Sequence, residues 1–400
     1  MTRCAPSPAP SSCPSSLRGG RGYATGVSVS VTGEVPDSAL AAVTGLDGRT
    51  QVRSYRLPAV SADTGLLRVA ASGVCGTDTA IVREGRLAGP TVLGHHVVGW
   101  MVAVGSQAAR RWGVGVGDLV ALQEYLPCHA CRWCAQGEYR MCDRSDIRTG
   151  GRRFGTISVA EQPSLWGGNA EFLHLPAETL AHRLPPSMDP ARAVWLLPLA
   201  NAFDWTAEIG ALPPGGTVVI IGPGQHGLAC VVAARETGAG QVVIVGRTGD
   251  QDRLTLATKL GADHTVALNG RDDLNLVLNR LGNDRADLVI NTSGAGPELT
   301  PALLALAGKR ATVVEAGLAR GHAPQLDMAA LTSRAVALVG ARGRSMTAID
   351  RALSSLSSSD GAHPLDSVPS PAISLKGIDA ILRPDLPHAQ PPAIHPIVRP

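Results

Sequence analysis

"TVVIIGPGQHG", residues 217–227, sets a short apolar run against three glycines at positions 222, 224 and 227. The run reads as a buried strand, and the segment that the glycines open, "QHGLACVVAARETGA", has the apolar spacing of a helix. Between a strand and a helix each glycine has a mechanical reason. One makes the tight turn, the second lets the backbone approach a pyrophosphate, and the third lets helix and strand pack closely, so that the helix N-terminus faces the phosphates. The stretch therefore predicts a dinucleotide site on Gly222, Gly224 and Gly227. The plainer alternative is a glycine-rich turn that only packs.

The same rhythm continues downstream: "QVVIVG", "DRLTLATKLGA", "ADLVINTSG", "LTPALLALAGK" and "RATVVEAG" alternate apolar strands with amphipathic helices. Such alternation predicts a parallel, doubly wound sheet. An NAD site would offer a carboxylate at the end of the second strand to bond the ribose hydroxyls. Here that strand ends in Gly246, Arg247 and Thr248. Without the carboxylate a 2′-phosphate is not repelled, and Arg247 can meet it with a bidentate contact, so NADP is expected over NAD. The alternative leaves Arg247 in an exposed loop, with Asp250 or Asp252 on the ribose.

Upstream the pattern differs. "TQVRSYRLP", "GLLRVAASG", "VVGWMVAVG", "GDLVAL" and "AEFLHLP" are short β-like runs broken by Gly and Pro, which predicts a mostly antiparallel, barrel-like domain. The expected organisation is a disordered tail over 1–40, a β domain over 41–195, a coenzyme domain over 196–340 and a C-terminal segment over 341–400. The tail is rich in Ser, Pro, Gly and Arg and has no acidic residue before Glu34. It has no apolar signal core and no convincing amphipathic helix, so an unstructured tail or an early start is expected over a transit segment.

Composition sets limits. Aromatics are 3% of 400 residues, so the cores must be built from Val, Leu, Ile and Ala. The 36 basic and 33 acidic side chains are interspersed, which gives nucleic acid no basic patch to bind. No apolar stretch reaches the roughly 18 residues of a membrane span. Four of eight cysteines fall in "CHACRWCAQGEYRMC", at 128, 131, 134 and 142. Thiolates at these gaps suit a closed, structural tetrahedral zinc; an iron–sulfur cluster is the alternative. Clustered ligating thiols point to a reducing cytoplasm and not to a disulfide framework.

Taken in order, "GVCGTD" (73–78), "LGHHVVG" (93–99), "GDLV" (117–120), the four cysteines, "WGGNAEFLHLP" (166–176) and the glycine fingerprint resemble the zinc-containing medium-chain dehydrogenase/reductase family. The likeness runs from about residue 41 to 340, with an echo to the end. It implies a GroES-like β-barrel catalytic domain beside a Rossmann coenzyme domain, with the active site in the cleft between them. It also implies that Cys75 and His95 ligate a catalytic zinc and that Thr77 takes the alcohol proton. A small-molecule alcohol or carbonyl substrate and a homodimer or homotetramer follow from the same resemblance. The chemistry is intelligible by itself: a Lewis acid lowers the pKa of a bound alcohol, hydride leaves to the nicotinamide, and a hydroxyl carries the proton away. As a plain core residue, Cys75 would only pack.

Three positions depart from the pattern. His96 stands where the family has Glu, Ala80 stands where a relay histidine is often found, and Leu197, in "VWLLPLANAFDW", takes the place of a third metal ligand. His96 has three readings: a replacement third ligand, a polar residue lining the cleft, or packing. The first requires a bend, because adjacent strand residues point to opposite faces. Asp204 could approach the cleft but is about two helical turns from Leu197. Should the metal be absent, a zinc-independent enone or quinone reductase or a silent nucleotide-binding protein remains. Trp100, Trp166 and Trp195 are expected mostly in cores.

Overall fold

In a computed structural model of the chain, residues 35–270, 273–282, 285–317, 321–322, 325–358, 361–383 and 393–400 are described. The expected tail lies outside them as far as residue 34, Cys4 and Cys13 included. Its end departs from the expectation, because β1 (Ser38–Thr44) begins inside it. The reason is burial on both faces: Ala39 packs with Leu66 and Phe172, Ala41 and Val43 with Val92 and Leu165, and Ala42 with Val74 and Leu93, while β1 pairs antiparallel with β2 (Thr50–Arg56) and β4 (Thr91–Val92).

A larger sheet carries the first half of the site. Its members are β3 (Gly65–Gly73), β5 (His96–Val104), β6 (Leu119–Leu122), β7 (Phe172–Leu175) and β8 (Ala181–Arg183), joined by β15 (Ala372–Ile373) and β16 (Ile397–Val398) from the C-terminal segment. All pairs are antiparallel except β15 with β16. The core beneath is aliphatic, as the composition requires: Leu67, Val97, Met101, Leu122, Leu173 and Leu175 pack around Phe154 and Trp166.

The second half of the site rests on six parallel strands in the order β11-β10-β9-β12-β13-β14. They are β9 (Thr217–Ile221), β10 (Gln241–Arg247), β11 (His264–Leu268), β12 (Ala286–Asn291), β13 (Ala307–Glu315) and β14 (Ala337–Gly340). Val218 and Ile220 pack into one cluster with the helix Gln225–Thr237, while Val219 and Ile221 pack into another. A strand buried on both faces needs a continuous apolar run, which is what "TVVII" supplies. Strand order reverses between β9 and β12, the switch point where open α/β sheets of this Rossmann order hold their ligands.

The two halves are tied by the helix Leu196–Phe203, all of whose residues are buried, and by Met346–Ser358 packed against it. Chain returning from the coenzyme side places Ile378 and Leu382 against Ile81 of the helix Gly76–Arg83. No helix among the described residues is long and apolar enough to cross a membrane.

Candidate active site and metal centres

Cys75 leaves β3 as the cap of the helix Gly76–Arg83, and Asp78, the third residue of that helix, reaches back to it. One Asp78 carboxylate oxygen accepts the Cys75 N–H at 2.9 Å, and the other lies 3.1 Å from His95 Nδ1. This buried carboxylate both caps the helix and leaves Nε2 of His95 as the free ring nitrogen, the arrangement that orients a metal-ligating imidazole. Burial alone would lower the His95 pKa; the charge and hydrogen bond of Asp78 raise it well above the ordinary value.

The bend needed to bring His95 and His96 together comes from Gly94, at φ +92°. A Cβ there would lie 2.6 Å from both Asn169 Oδ1 and Ser72 Oγ, so only glycine fits the turn. His95 then precedes β5 and His96 is its first residue, so strand alternation does not separate them. Their rings meet edge to face with centroids 4.5 Å apart. Donor atoms of Cys75, His95 and His96 all lie within 4.8 Å of one another, against the about 3.5 Å expected between ligands of a tetrahedral zinc. His96 Nδ1 is buried and has no hydrogen-bond partner among the described residues. Burial first, then the charge of His95, lowers its pKa well below the usual value. The donor set and the orphaned nitrogen fit a catalytic zinc with one position open.

These groups line a cavity of about 540 Å³ that also contains Thr77, Ala80, Glu124, Asn201, Trp205, His226 and Arg344. Thr77 Oγ1 is 3.6 Å from Cys75 Sγ. Leu197 is buried in the apolar core and contributes nothing to the cavity; Asn201, one turn further on, does. Asp204 does not approach the cleft as expected. It accepts from Arg140 at 2.6 Å and from the Ser345 N–H at 3.0 Å, because a fully buried carboxylate needs such partners. Trp100, Trp166 and Trp195 lie outside the cavity lining.

A buried polar chain, which motif reading missed, joins the halves. Arg344 grips Glu124 with two-pronged contacts of 2.7 and 3.0 Å, which overcome the upward push of burial and bring the carboxyl down to about 2. The Arg344 Nε donates to Asn201 Oδ1 at 2.8 Å, so the Asn201 amide must donate to His226 Nε2, 3.0 Å away. Arg has no acceptor, and the direction therefore passes down the chain: neutral His226 carries its proton on Nδ1. Burial and then Arg344 hold its pKa down at about 4. Only His226 carried a signal, its place inside the glycine fingerprint.

Cys128, Cys131, Cys134 and Cys142 converge within 4.8 Å, with sulfur separations of 3.5 Å (131 to 134) and 3.9 Å (128 to 134). Backbone N–H groups of Ala130 and Cys131 draw the Cys128 thiol down to about 6, which favours the thiolate. Arg140, inside this loop, anchors it to Asp204 beyond the buried helix.

A second cavity, about 760 Å³, is lined by Gly222, Gly224, Gly246, Arg247, Thr248, Asp250, Arg253 and the 292–296 loop, where the glycine fingerprint leads a coenzyme to be expected. A Cβ at Gly227 would lie 1.8 Å from the Gly222 carbonyl oxygen, which accounts for the third glycine. Thr292, Ser293 and Gly294 line both cavities, so the two are contiguous. Asp250 accepts the Arg247 N–H at 2.9 Å, and Asp252 is not part of the lining.

Residues 61–186 match the alcohol dehydrogenase GroES-like domain and residues 226–358 the zinc-binding dehydrogenase domain. A Mycobacterium tuberculosis protein assigned as an alcohol dehydrogenase is 36% identical over 340 residues, 84% of this chain and 90% of that protein. The L-threonine 3-dehydrogenase of Bacillus subtilis is 32% identical over 60% of this chain and 64% of its own. Among solved structures, a Sinorhizobium meliloti protein assigned as a zinc-binding dehydrogenase, with NADP bound, superposes with a TM-score of 0.77 at 24% identity, covering 91% of this chain and 100% of that one. Galactitol-1-phosphate dehydrogenase from Escherichia coli gives 0.75 at 22% identity, covering 90% and 100%.

Proposed function

We propose that this chain, which belongs to the zinc-containing medium-chain dehydrogenase/reductase family, interconverts an alcohol and its carbonyl with NADP, using Cys75, His95 and His96 to hold a catalytic zinc. Its class is that of an NAD(P)-dependent, alcohol dehydrogenase-like oxidoreductase. The observation that carries the finer reading is the three-donor cluster on the wall of a cavity contiguous with the coenzyme cavity. That cluster argues against the zinc-independent alternative.

A zinc held there would supply Lewis acidity and lower the pKa of a bound alcohol. The chain's own residues do the rest. Asp78 holds the His95 ring in place, and the glycine loop at the N-terminus of the helix Gln225–Thr237 would seat the pyrophosphate of a bound coenzyme, with Thr292–Gly294 shared by the two cavities. Thr77 accepts the alcohol proton and passes its own to water, because Ala80 offers no relay group. The Asn201 and Arg344 chain keeps a hydrogen on His226 Nδ1 at the cavity wall. NADP preference is supported by Arg247, Thr248 and Arg253 around the cavity and by the engagement of Asp250 with the backbone.

The test is metal content per chain in the wild type, Cys75→Ser and His96→Ala, with alcohol oxidation followed under both coenzymes. Two zinc ions falling to one in both variants, with loss of turnover, is the expected result. A single zinc that neither substitution removes would overturn the catalytic site. Arg247→Leu should lower the NADP over NAD ratio of kcat/KM about tenfold, the loss of one charged phosphate contact.

A further inference from the structure

The cavity that holds Cys75, His95 and His96 has four guanidinium groups on its wall, Arg83, Arg153, Arg342 and Arg344, and two carboxylates, Glu84 and Glu124. Both carboxylates are already committed. Glu124 is held by Arg344 at 2.7 Å, and Glu84 by Arg86 at 2.9 Å with Arg83 at 3.6 Å. Arg153 makes no carboxylate hydrogen bond or close ion pair among the described residues, although its charge, after that of Arg344, helps to depress the Glu124 carboxyl. Its Nε donates to the Ser145 carbonyl at 2.6 Å and its guanidinium lies 4.7 Å from the centre of the Tyr125 ring. Arg342 donates through Nη1 to Asp146 at 2.8 Å, while its Nη2 is buried with no hydrogen-bond partner among the described residues.

Unmet donors on a half-buried guanidinium are costly unless something accepts from them. The planar fork of arginine matches the oxygens of a carboxylate or a phosphate. We infer that the substrate is an anionic alcohol, a small molecule with a phosphate or carboxylate beside its reacting hydroxyl, whose anion is held by Arg153; Arg342, paired with Asp146 and with its Nη2 closed off, adds only its charge. The inference rests on the alcohol-oxidising reading of this cavity and names its substrate class. An anchor on one side and the metal cluster on the other fix the hydroxyl between them, so that binding energy becomes orientation. The coenzyme phosphates do not compete for this anchor, because their seat is the glycine loop, which Arg153 does not line.

The test compares matched pairs at saturating coenzyme: glycerol with glycerol 1-phosphate, and butan-2-ol with 3-hydroxybutyrate. In at least one pair kcat/KM should be about thirtyfold higher for the anion, mainly through KM, and Arg153→Gln should lower that ratio about tenfold. The pair that responds tells phosphate from carboxylate. Equal or better turnover of the neutral member in both pairs overturns the inference, as does a ratio that survives Arg153→Gln. A separate readout covers failure of the activity itself. If no alcohol is oxidised, calorimetric titration of the coenzyme-loaded protein with glycerol 1-phosphate and with 3-hydroxybutyrate decides the anion site. Binding of either that weakens about tenfold in Arg153→Gln upholds it, and the absence of binding, or equal affinity in the variant, overturns it.

Discussion

The four-cysteine loop and the Cys75, His95 and His96 cluster are both places where a zinc fits, and they are built in opposite ways. The loop gathers four sulfurs from fifteen consecutive residues, closes the coordination shell with its own chain, and is pinned to the rest of the molecule by Arg140 and Asp204. The other cluster takes one donor from the start of a helix and two from the mouth of β5, relies on Asp78 to orient one and on Gly94 to turn the other, and stops at three. A closed site holds a fold together; an open one leaves room for a substrate. Ligand number and the origin of the ligands, more than ligand type, distinguish a closed structural site from an open one.

If that contrast is right, the largest effect on the fold comes from the loop. Cys134→Ala should remove one zinc and lower Tm by more than about 10 °C, since structural zinc binding is itself folding energy. A Tm within about 2 °C of wild type would break the contrast. Cys75→Ala should do the reverse. Its kcat/KM falls about a thousandfold, close to 4 kcal/mol of transition-state stabilisation, while Tm scarcely moves.

Glu124→Gln tests whether the cavity depends on the buried chain that joins the halves. It should cost about 3 kcal/mol at neutral pH by leaving the Arg344 charge poorly matched. Because the folded Glu124 carboxyl is depressed to about 2, its pairing stabilises the protein fully above the ordinary value near 4.5, and that contribution fades as pH falls from there toward 2. The stability gap between wild type and variant, measured by denaturant titration, should narrow over that window. A gap constant with pH would assign the cost to packing. The smallest effect is expected of Asp78→Asn, which keeps the shape and removes the charge. Affinity for the catalytic zinc should drop about tenfold, with the zinc of the four-cysteine loop retained. Loss of both zinc ions would mean that the two centres are not independent.

Much of the fold was legible because its signals are local. The glycine fingerprint lies within eleven residues, and each glycine answers to a contact a few residues away, such as Gly227 against the Gly222 carbonyl. The four cysteines needed only their spacing. β1 escaped because small residues such as Ala39 and Ala41 carry little hydrophobic signal until distant residues, Leu66 and Phe172 for the first and Leu165 for the second, pack over them. The pair His95 and His96 was visible, but whether both rings face one side was not, since that turns on the conformation of Gly94.

Read along the chain, the residues supply an inventory: a glycine-rich turn between strand and helix, a four-thiolate loop, and a Cys, His, His set with Leu197 where a further ligand would stand. Only the tertiary structure decided how the inventory is used. It placed Leu197 in the core, turned Asp204 toward Arg140, and brought Arg344 onto Glu124, 220 positions earlier in the chain, with Asn201 and His226 in line behind it. The physical reason is range. Backbone preferences and ligand spacings act over a few residues and can be read along the chain, whereas a buried charge finds its partner through whichever distant segment packing brings within about 3 Å.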